Sequence, residues 1–157
     1  MHTARVLLAA FCMLVVSVPA VAAGEAADAD IDVLRDSIRA NKKALVAVNL
    51  ALTDDEAKAF WPVYDRYEGE LKAVNDRLLK VIDDYMTNYK NLSDEKATTI
   101  VTDYLTVEED RAKLRRSYLP EFSKALPGRK VARLYQIENK MDAVLRYELA
   151  EEIPVAE

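Results

Sequence analysis

Apolar residues recur at alternating steps of four and three over most of this chain, and that spacing strongly favours a helical fold. The longest run comprises Phe60, Tyr64, Tyr67, Leu71, Val74, Leu78, Val81 and Tyr85. Such steps place side chains on one face of an α-helix and are typical of a coiled-coil seam. The sequence therefore predicts a helix over 54–89, about 50 Å long.

Three further segments show helical spacing, over 31–50, 94–125 and 129–150. Their predicted inward residues are Ile31, Leu34, Ile38, Leu45, Val48 and Leu52; Ile100, Tyr104, Val107, Arg111, Leu114, Tyr118 and Phe122; and Val131, Leu134, Ile137, Met141, Leu145 and Leu149. No segment alternates with a period of two, and the chain holds only 3 Gly, so strands are not expected. The predicted fold class is all-α with four helices.

The two central helices should form long antiparallel arms, with helices 31–50 and 129–150 beside them. Pro62 and Pro120 fall inside the arms, where a proline loses a hydrogen bond and predicts a kink or, at Pro62, a short helix before a longer one. Leu126-Pro127-Gly128 marks a turn. The pattern leaves open a closed bundle or an open cradle, and a homodimer is a further possibility.

The first 23 residues have the pattern of an export signal. Arg5 precedes an apolar run over 6–18, and small residues favour cleavage after Ala22 or Ala23. An uncleaved anchor is the less favoured alternative. The remaining organisation is a disordered segment over 24–30, one helical domain over 31–150 and a tail over 151–157. The predicted location is the periplasm.

Cleavage would remove Cys12 and His2, the only cysteine and histidine of the chain. Disulfides, thiolate or imidazole metal sites and Ser-His or Cys-His catalysis would then be excluded. We therefore expect no catalytic residue, metal or cofactor, and a protein that is not an enzyme. Loss of Arg5 leaves 21 of the 22 Lys and Arg residues against 27 Asp and Glu, a net charge of −6 that gives no reason to expect nucleic-acid binding.

Two short blocks begin the two long helices with the same residue types. Thr53 can cap the first helix, and Glu56 stands three residues later, which predicts a capping box. Ser93 can cap the second helix in the same way. The helix-cap motif thus comprises Leu52, Thr53 and Glu56 in the first block and Leu92 and Ser93 in the second.

Leu52-Thr53-Asp54-Asp55-Glu56 resembles the LTxxQ motif of the Spy/CpxP periplasmic proteins, and Leu92-Ser93-Asp94-Glu95-Lys96 resembles a degenerate second copy. Glu56 and Lys96 replace the Gln of that motif. The resemblance covers roughly 31–140 and implies a small all-helical periplasmic protein that forms a cradle-shaped antiparallel dimer. Members act as ATP-independent chaperones, restrain envelope-stress sensors or bind zinc. A zinc role based on His or Cys does not carry over, because the mature chain has neither.

Between positions 111 and 133 eight cations face a single acid, Glu121, for a local net charge of +7. The candidate partner-binding patch comprises Arg111, Lys113, Arg115, Arg116, Lys124, Arg129, Lys130 and Arg133. One alternative is a solvated face that pairs with acids such as Asp76, Asp83 and Asp84. The other is a patch that attracts anionic partners. Arg111 falls on the predicted seam, where it would need a carboxylate partner or would extend to the rim.

The sequence thus predicts an exported, cofactor-independent helical binding protein. In the leading hypothesis it is a Spy-like periplasmic chaperone that holds exposed apolar segments of unfolded or partly folded clients. The alternative is a regulatory accessory protein that binds the periplasmic domain of an envelope-stress sensor. Contact with a membrane surface is possible but not expected. Eight tyrosines, several on the seams, offer core packing first and adaptable contact area second.

Overall fold

The computed structural model describes residues 41–156, and Lys43 onward belongs to one compact unit. Its helices are α1 (41–50), α2 (Asp54–Asn88), α3 (Asp94–Ala125) and α4 (Gly128–Glu152), and a 3₁₀ turn over Tyr89–Asn91 follows α2. Across 41–156 there is no strand. The all-α prediction with two long helices is therefore confirmed. The predicted signal (1–23), disordered segment (24–30) and first part of the N-terminal helix (31–40) lie outside the described residues.

Both long helices begin at the predicted caps. The Thr53 hydroxyl accepts a hydrogen bond from the Glu56 backbone N–H (3.3 Å), and the Glu56 carboxylate accepts one from the Thr53 N–H (2.8 Å), which completes a capping box. The Ser93 hydroxyl accepts from the Lys96 N–H (3.2 Å). The Lys96 side chain has no hydrogen-bond acceptor for the Ser93 backbone N–H. The second cap therefore has only one of the two hydrogen bonds of a capping box.

The two long helices continue through their prolines. Pro62 lies within α2 and Pro120 within α3, and each helix is a single element. The alternative of a short helix before a longer one at Pro62 is therefore wrong. Pro62 removes only one backbone hydrogen bond of α2. The helix continues through it because the aromatic residues on either side are held in the core.

Aromatic side chains join α2 to α3 at the end of the hairpin nearest α1 and the α3–α4 turn. Phe60 lies 5.8 Å from Phe122 between ring centroids, and Tyr67 lies 5.4 Å from Tyr118 in an edge arrangement. Offset and edge geometries are the favourable ones for aromatic pairs. Leu126, Val131 and Leu134 complete this core from the turn and from α4.

The inner side of α4 packs along the hairpin and becomes more polar towards its C-terminus. Val131 and Leu134 are buried near its start, and Glu138 follows, accepting a hydrogen bond from the Tyr64 hydroxyl (3.0 Å). Near the far end the Tyr85 hydroxyl donates to the Pro154 carbonyl (2.7 Å). The predicted inward position of Leu145 is wrong, because half of that side chain is exposed.

The face of α1 that packs on the core differs from the predicted one. Val46 and Leu50 are buried, whereas Leu45 is 51% exposed and Val48 is 81% exposed. Leu45 and Val48 form one apolar stripe on this short helix. Val46 and Leu50, which are four residues apart, form a second stripe beside it. Packing against Phe60 and Leu134 selects one stripe, and the other remains at the surface.

Candidate binding groove

The eight cations of the predicted patch do not form one surface. Arg111, Arg115 and Lys130 turn towards neighbouring helices and contact polar groups there. Lys113 pairs with Glu109 and Asp110 on its own helix. Arg116 and Lys124 are exposed on α3, and Arg129 and Arg133 are exposed on α4. The partner-binding role of the set stays a prediction, but its members have different neighbours.

Arg111 is buried between α3 and α4, with 7% of its surface exposed. Its Nη1 lies 3.3 Å from Asp142 Oδ1, and its Nε lies 3.6 Å from Glu108 Oε1 without making a hydrogen bond. Arg146 bridges the same two carboxylates, at 2.7 Å to Glu108 and 3.1 Å to Asp142. Arg111 therefore has carboxylate partners, and the alternative in which it extends to the rim is wrong.

Lys130 joins the first helix cap to α4. Its Nζ lies 2.5 Å from Glu56 Oε2 and donates a second hydrogen bond to the Ala51 carbonyl (2.8 Å). The hydrogen bond from Lys130, followed by that from the Thr53 backbone, holds the pKa of Glu56 below its usual value. Ala51 has a positive φ of 46°, a conformation that L-residues rarely adopt. Glu56, which stands at the Gln position of the LTxxQ motif, thus makes a tertiary contact with Lys130 of α4.

Two further cations of the patch are used within the fold. Arg115 Nη2 donates to Asn139 Oδ1 (2.5 Å), and its guanidinium lies 5.7 Å from the centroid of the Tyr135 ring. Hydrogen bonds, first from Arg77 and then from Lys113, lower the pKa of Asp110. Of the acids predicted to pair with the patch, Asp76 pairs with Lys72 and Asp84 pairs with Lys96, neither of which belongs to the patch.

A groove of about 570 Å³ lies between α1 and α4 and carries two of the remaining cations of the patch, Arg129 and Arg133. It is lined by Leu45, Asn49, Arg129, Arg133, Gln136, Ile137, Lys140 and Met141. Among the described residues, the lining contains three cations and no carboxylate. Arg129, Arg133 and Lys140 make no ion pair or hydrogen bond with any other residue of the described part of the chain.

The groove combines positive charge with exposed apolar surface. Ile137 and Met141 pack against the core, and Leu45 of α1 lines the groove with them. Three neighbouring cations with no carboxylate among the described lining residues create a positive potential that attracts anions. The apolar side chains around them can bury aliphatic or aromatic groups of the same ligand. This arrangement is suited to binding an amphipathic, anionic partner.

The residues of the groove do not suggest catalysis. The part of its lining that the structure describes contains no carboxylate, thiol or imidazole that could act as a base or nucleophile. The core tyrosines are not substitutes, since burial and the hydrogen bond to Glu70 raise the pKa of Tyr118 to about 12. Over residues 41–156 no group of three or more His, Cys, Asp or Glu is arranged to hold a metal ion.

A smaller groove of about 330 Å³ lies between α2 and α3 and includes Lys124. Its other lining residues are Ala59, Val63, Glu121 and Ala125. Glu121 lies 2.5 Å from Arg66, so charges of both signs stand at this edge. It lacks the uncompensated positive charge of the α1–α4 groove.

Sequence reasoning missed several residues of the α1–α4 groove. Leu45, Ile137 and Met141 were predicted to face inward, and Gln136 and Lys140 were not singled out. A signal was present, since Arg129, Arg133, Gln136 and Lys140 follow at steps of four, three and four, the spacing of one helix face. That α1 would provide the opposite wall is a matter of tertiary packing.

The helices of residues 41–156 include none with the length and apolarity required to cross a lipid bilayer. Comparison of the chain with protein-family models, with curated proteins and with solved structures finds no match.

Proposed function

We propose that this chain is an exported, cofactor-independent binding protein that holds exposed apolar segments of client proteins in the periplasm. The observation that carries the proposal is the α1–α4 groove, in which Arg129, Arg133 and Lys140 stand beside Leu45 and Met141 with no carboxylate among the described lining residues. Arg111 and Lys130 form ion pairs with carboxylates of neighbouring helices, whereas these three cations form none within residues 41–156. Binding without ATP or cofactor then requires only surface complementarity.

The resemblance to the Spy/CpxP proteins supports the same proposal. Thr53 and Glu56 form the capping box that the motif requires, and α2 and α3 form the long helical hairpin. Glu56 in place of Gln retains the cap and adds the contact to Lys130. We propose distant membership of that family on this basis, with a chaperone role, and we propose that the chain is not an enzyme.

An aggregation assay tests the chaperone role. A client protein that aggregates on dilution from denaturant is followed by light scattering, with and without the chain. We expect suppression at near-stoichiometric amounts of the chain without ATP. Unchanged scattering at an equimolar ratio would contradict the proposal.

The small size of the groove favours the regulatory alternative as a second candidate. One localised site with three neighbouring cations suits a single partner, such as the periplasmic domain of an envelope-stress sensor, better than it suits many different clients. A pull-down from periplasmic extract distinguishes the two functions. One stoichiometric partner without suppression of aggregation supports regulation, whereas many partners with suppression support the chaperone.

A further inference from the structure

We propose that the outer face of α4 selects polypeptide segments in which an acidic cluster lies at one end and an apolar cluster at the other. This inference rests on the proposed binding function and specifies its ligand. The two halves of this face differ in chemistry, so a bound segment has a preferred direction.

The first half of the face is cationic. Arg129, Arg133 and Lys140 project on one side of α4 because they are separated by four and seven residues. They line the groove, and the lining residues within 41–156 include no acid. The acidic end of a segment therefore belongs here, where it would meet three positive charges.

The second half of the same face is apolar. Val144 and Tyr147 stand four and seven residues beyond Lys140, which places them on the same side of the helix, and they are 59% and 66% exposed. Glu148 and Glu151 are exposed beside them. A carboxylate of the ligand would be repelled at this end, whereas an aliphatic or aromatic side chain would lose contact with water.

The dimensions of this face fit a short segment. From Arg129 to Tyr147 the helix extends about 27 Å at 1.5 Å per residue. A ligand of about 18 helical residues, or about 8 extended residues, spans that distance. The exposed side chain of Leu45 on α1 can cover part of such a segment from the opposite wall.

A polypeptide fits this face better than a lipid does. Val144 and Tyr147 stand on the outside of α4, where they can pack against one side of a peptide. A small ligand such as a lipid usually binds in a cleft or cavity that buries most of its surface. The larger groove of the described residues is instead rimmed by cations along its length.

Fluorescence anisotropy with two labelled peptides of identical composition tests the selection. In the block peptide all glutamates occupy one half and all leucines the other, whereas in the interleaved peptide they alternate in small groups. We expect the chain to bind the block peptide about tenfold more tightly, a difference of about 1.4 kcal/mol. The double substitution Arg133→Glu and Lys140→Glu should remove the preference, and Val144→Ser with Tyr147→Ser should weaken the block peptide selectively.

Helical circular dichroism confirms that each variant folds, which is expected because all four side chains are exposed. Equal affinity for both peptides, or no affinity for either, contradicts the selection rule. If an unfolded client still binds in that case, the proposed function stands without it. Displacement of the block peptide by vesicles of anionic phospholipid, but not by an unfolded client, would identify a lipid site and overturn the proposal.

Discussion

Two groups of cations meet at α4 and have opposite surroundings. On the inner side, Arg111, Lys130 and Arg146 each contact at least one carboxylate across a helix boundary. On the groove side, Arg129, Arg133 and Lys140 line the space between α1 and α4, and no carboxylate from the described part of the chain lines it with them. The face of the helix on which a cation lies therefore decides its role. Cations on the inner side form ion pairs within the fold, whereas those on the groove side can bind a partner.

Arg129 and Lys130 show how sharp this division is. They are adjacent in sequence, and adjacent helical residues point about 100° apart. Lys130 reaches Glu56 and the Ala51 carbonyl, whereas Arg129 lines the groove. Substitutions on the two sides should therefore affect different properties, namely stability on the inner side and binding on the groove side.

The largest effect is expected from Arg111→Ala. The substitution removes the packed stem of Arg111 and leaves Glu108 and Asp142 with Arg146 as their remaining shared cation. We expect the free energy of unfolding to fall by about 3 kcal/mol, measured by urea denaturation. Arg116→Ala, at an exposed position of α3, is the control and should change it by less than about 0.5 kcal/mol. Equal effects of the two substitutions would show that the buried site is not structural.

Charge reversal in the groove should affect binding and leave stability nearly unchanged. We expect Arg133→Glu with Lys140→Glu to weaken client binding about tenfold, because two positive charges become negative. The free energy of unfolding should stay within about 0.5 kcal/mol of the parent value. The matched control is Arg116→Glu with Lys80→Glu, which changes the net charge equally on other surfaces. A similar loss of binding in the control would mean that net charge, and not the groove, governs binding.

Glu56→Gln separates the cap from the ion pair on the inner side. Gln retains an acceptor for the Thr53 N–H but cannot form the charged contact with Lys130. Because the fold lowers the pKa of Glu56 from 4.5, its carboxylate stabilises the fold above that pH, and the contribution is lost as the pH falls further. The parent should therefore lose stability more steeply than the variant in acid. Parallel curves of urea midpoint against pH would contradict this assignment.

The smallest effect is expected at Ala51, where Lys130 reaches the backbone. Ala51→Gly should raise the free energy of unfolding by up to about 1 kcal/mol, because glycine adopts a positive φ without steric cost. Ala47→Gly within α1 is the control and should lower stability by about 1 kcal/mol. Thermal unfolding followed by circular dichroism measures both. Destabilisation of equal size at the two positions would show that the conformation of Ala51 is not strained.

Local rules account for the parts of the fold that could be predicted from sequence. Thr53 and Ser93 cap the long helices, and Pro127-Gly128 separates α3 from α4, because these features depend on neighbouring residues alone. The packed face of α1 was not predictable, since Leu45/Val48 and Val46/Leu50 are both compatible with a helix. Only contact with α2 and α4 decides between them.

The same limit applies to the candidate site. The sequence indicated a cationic region, and Arg129 and Arg133 belong to it. The separation of these cations from Arg111 and Lys130 depends on how α4 is aligned with α2 and α3, which brings Asp142 to Arg111 and Glu56 to Lys130. That alignment is a long-range property that residue spacing within one helix does not specify.

Site-specific photo-cross-linking tests whether partners bind in the α1–α4 groove. A photoreactive amino acid replaces Gln136, which lines the α1–α4 groove, or Lys80, which is exposed on α2 away from it. Each variant is illuminated with an unfolded client, and the cross-linked product is measured. We expect strong cross-linking at Gln136 and little at Lys80. Equal yields, or a higher yield at Lys80, would contradict the claim that partners bind in the groove.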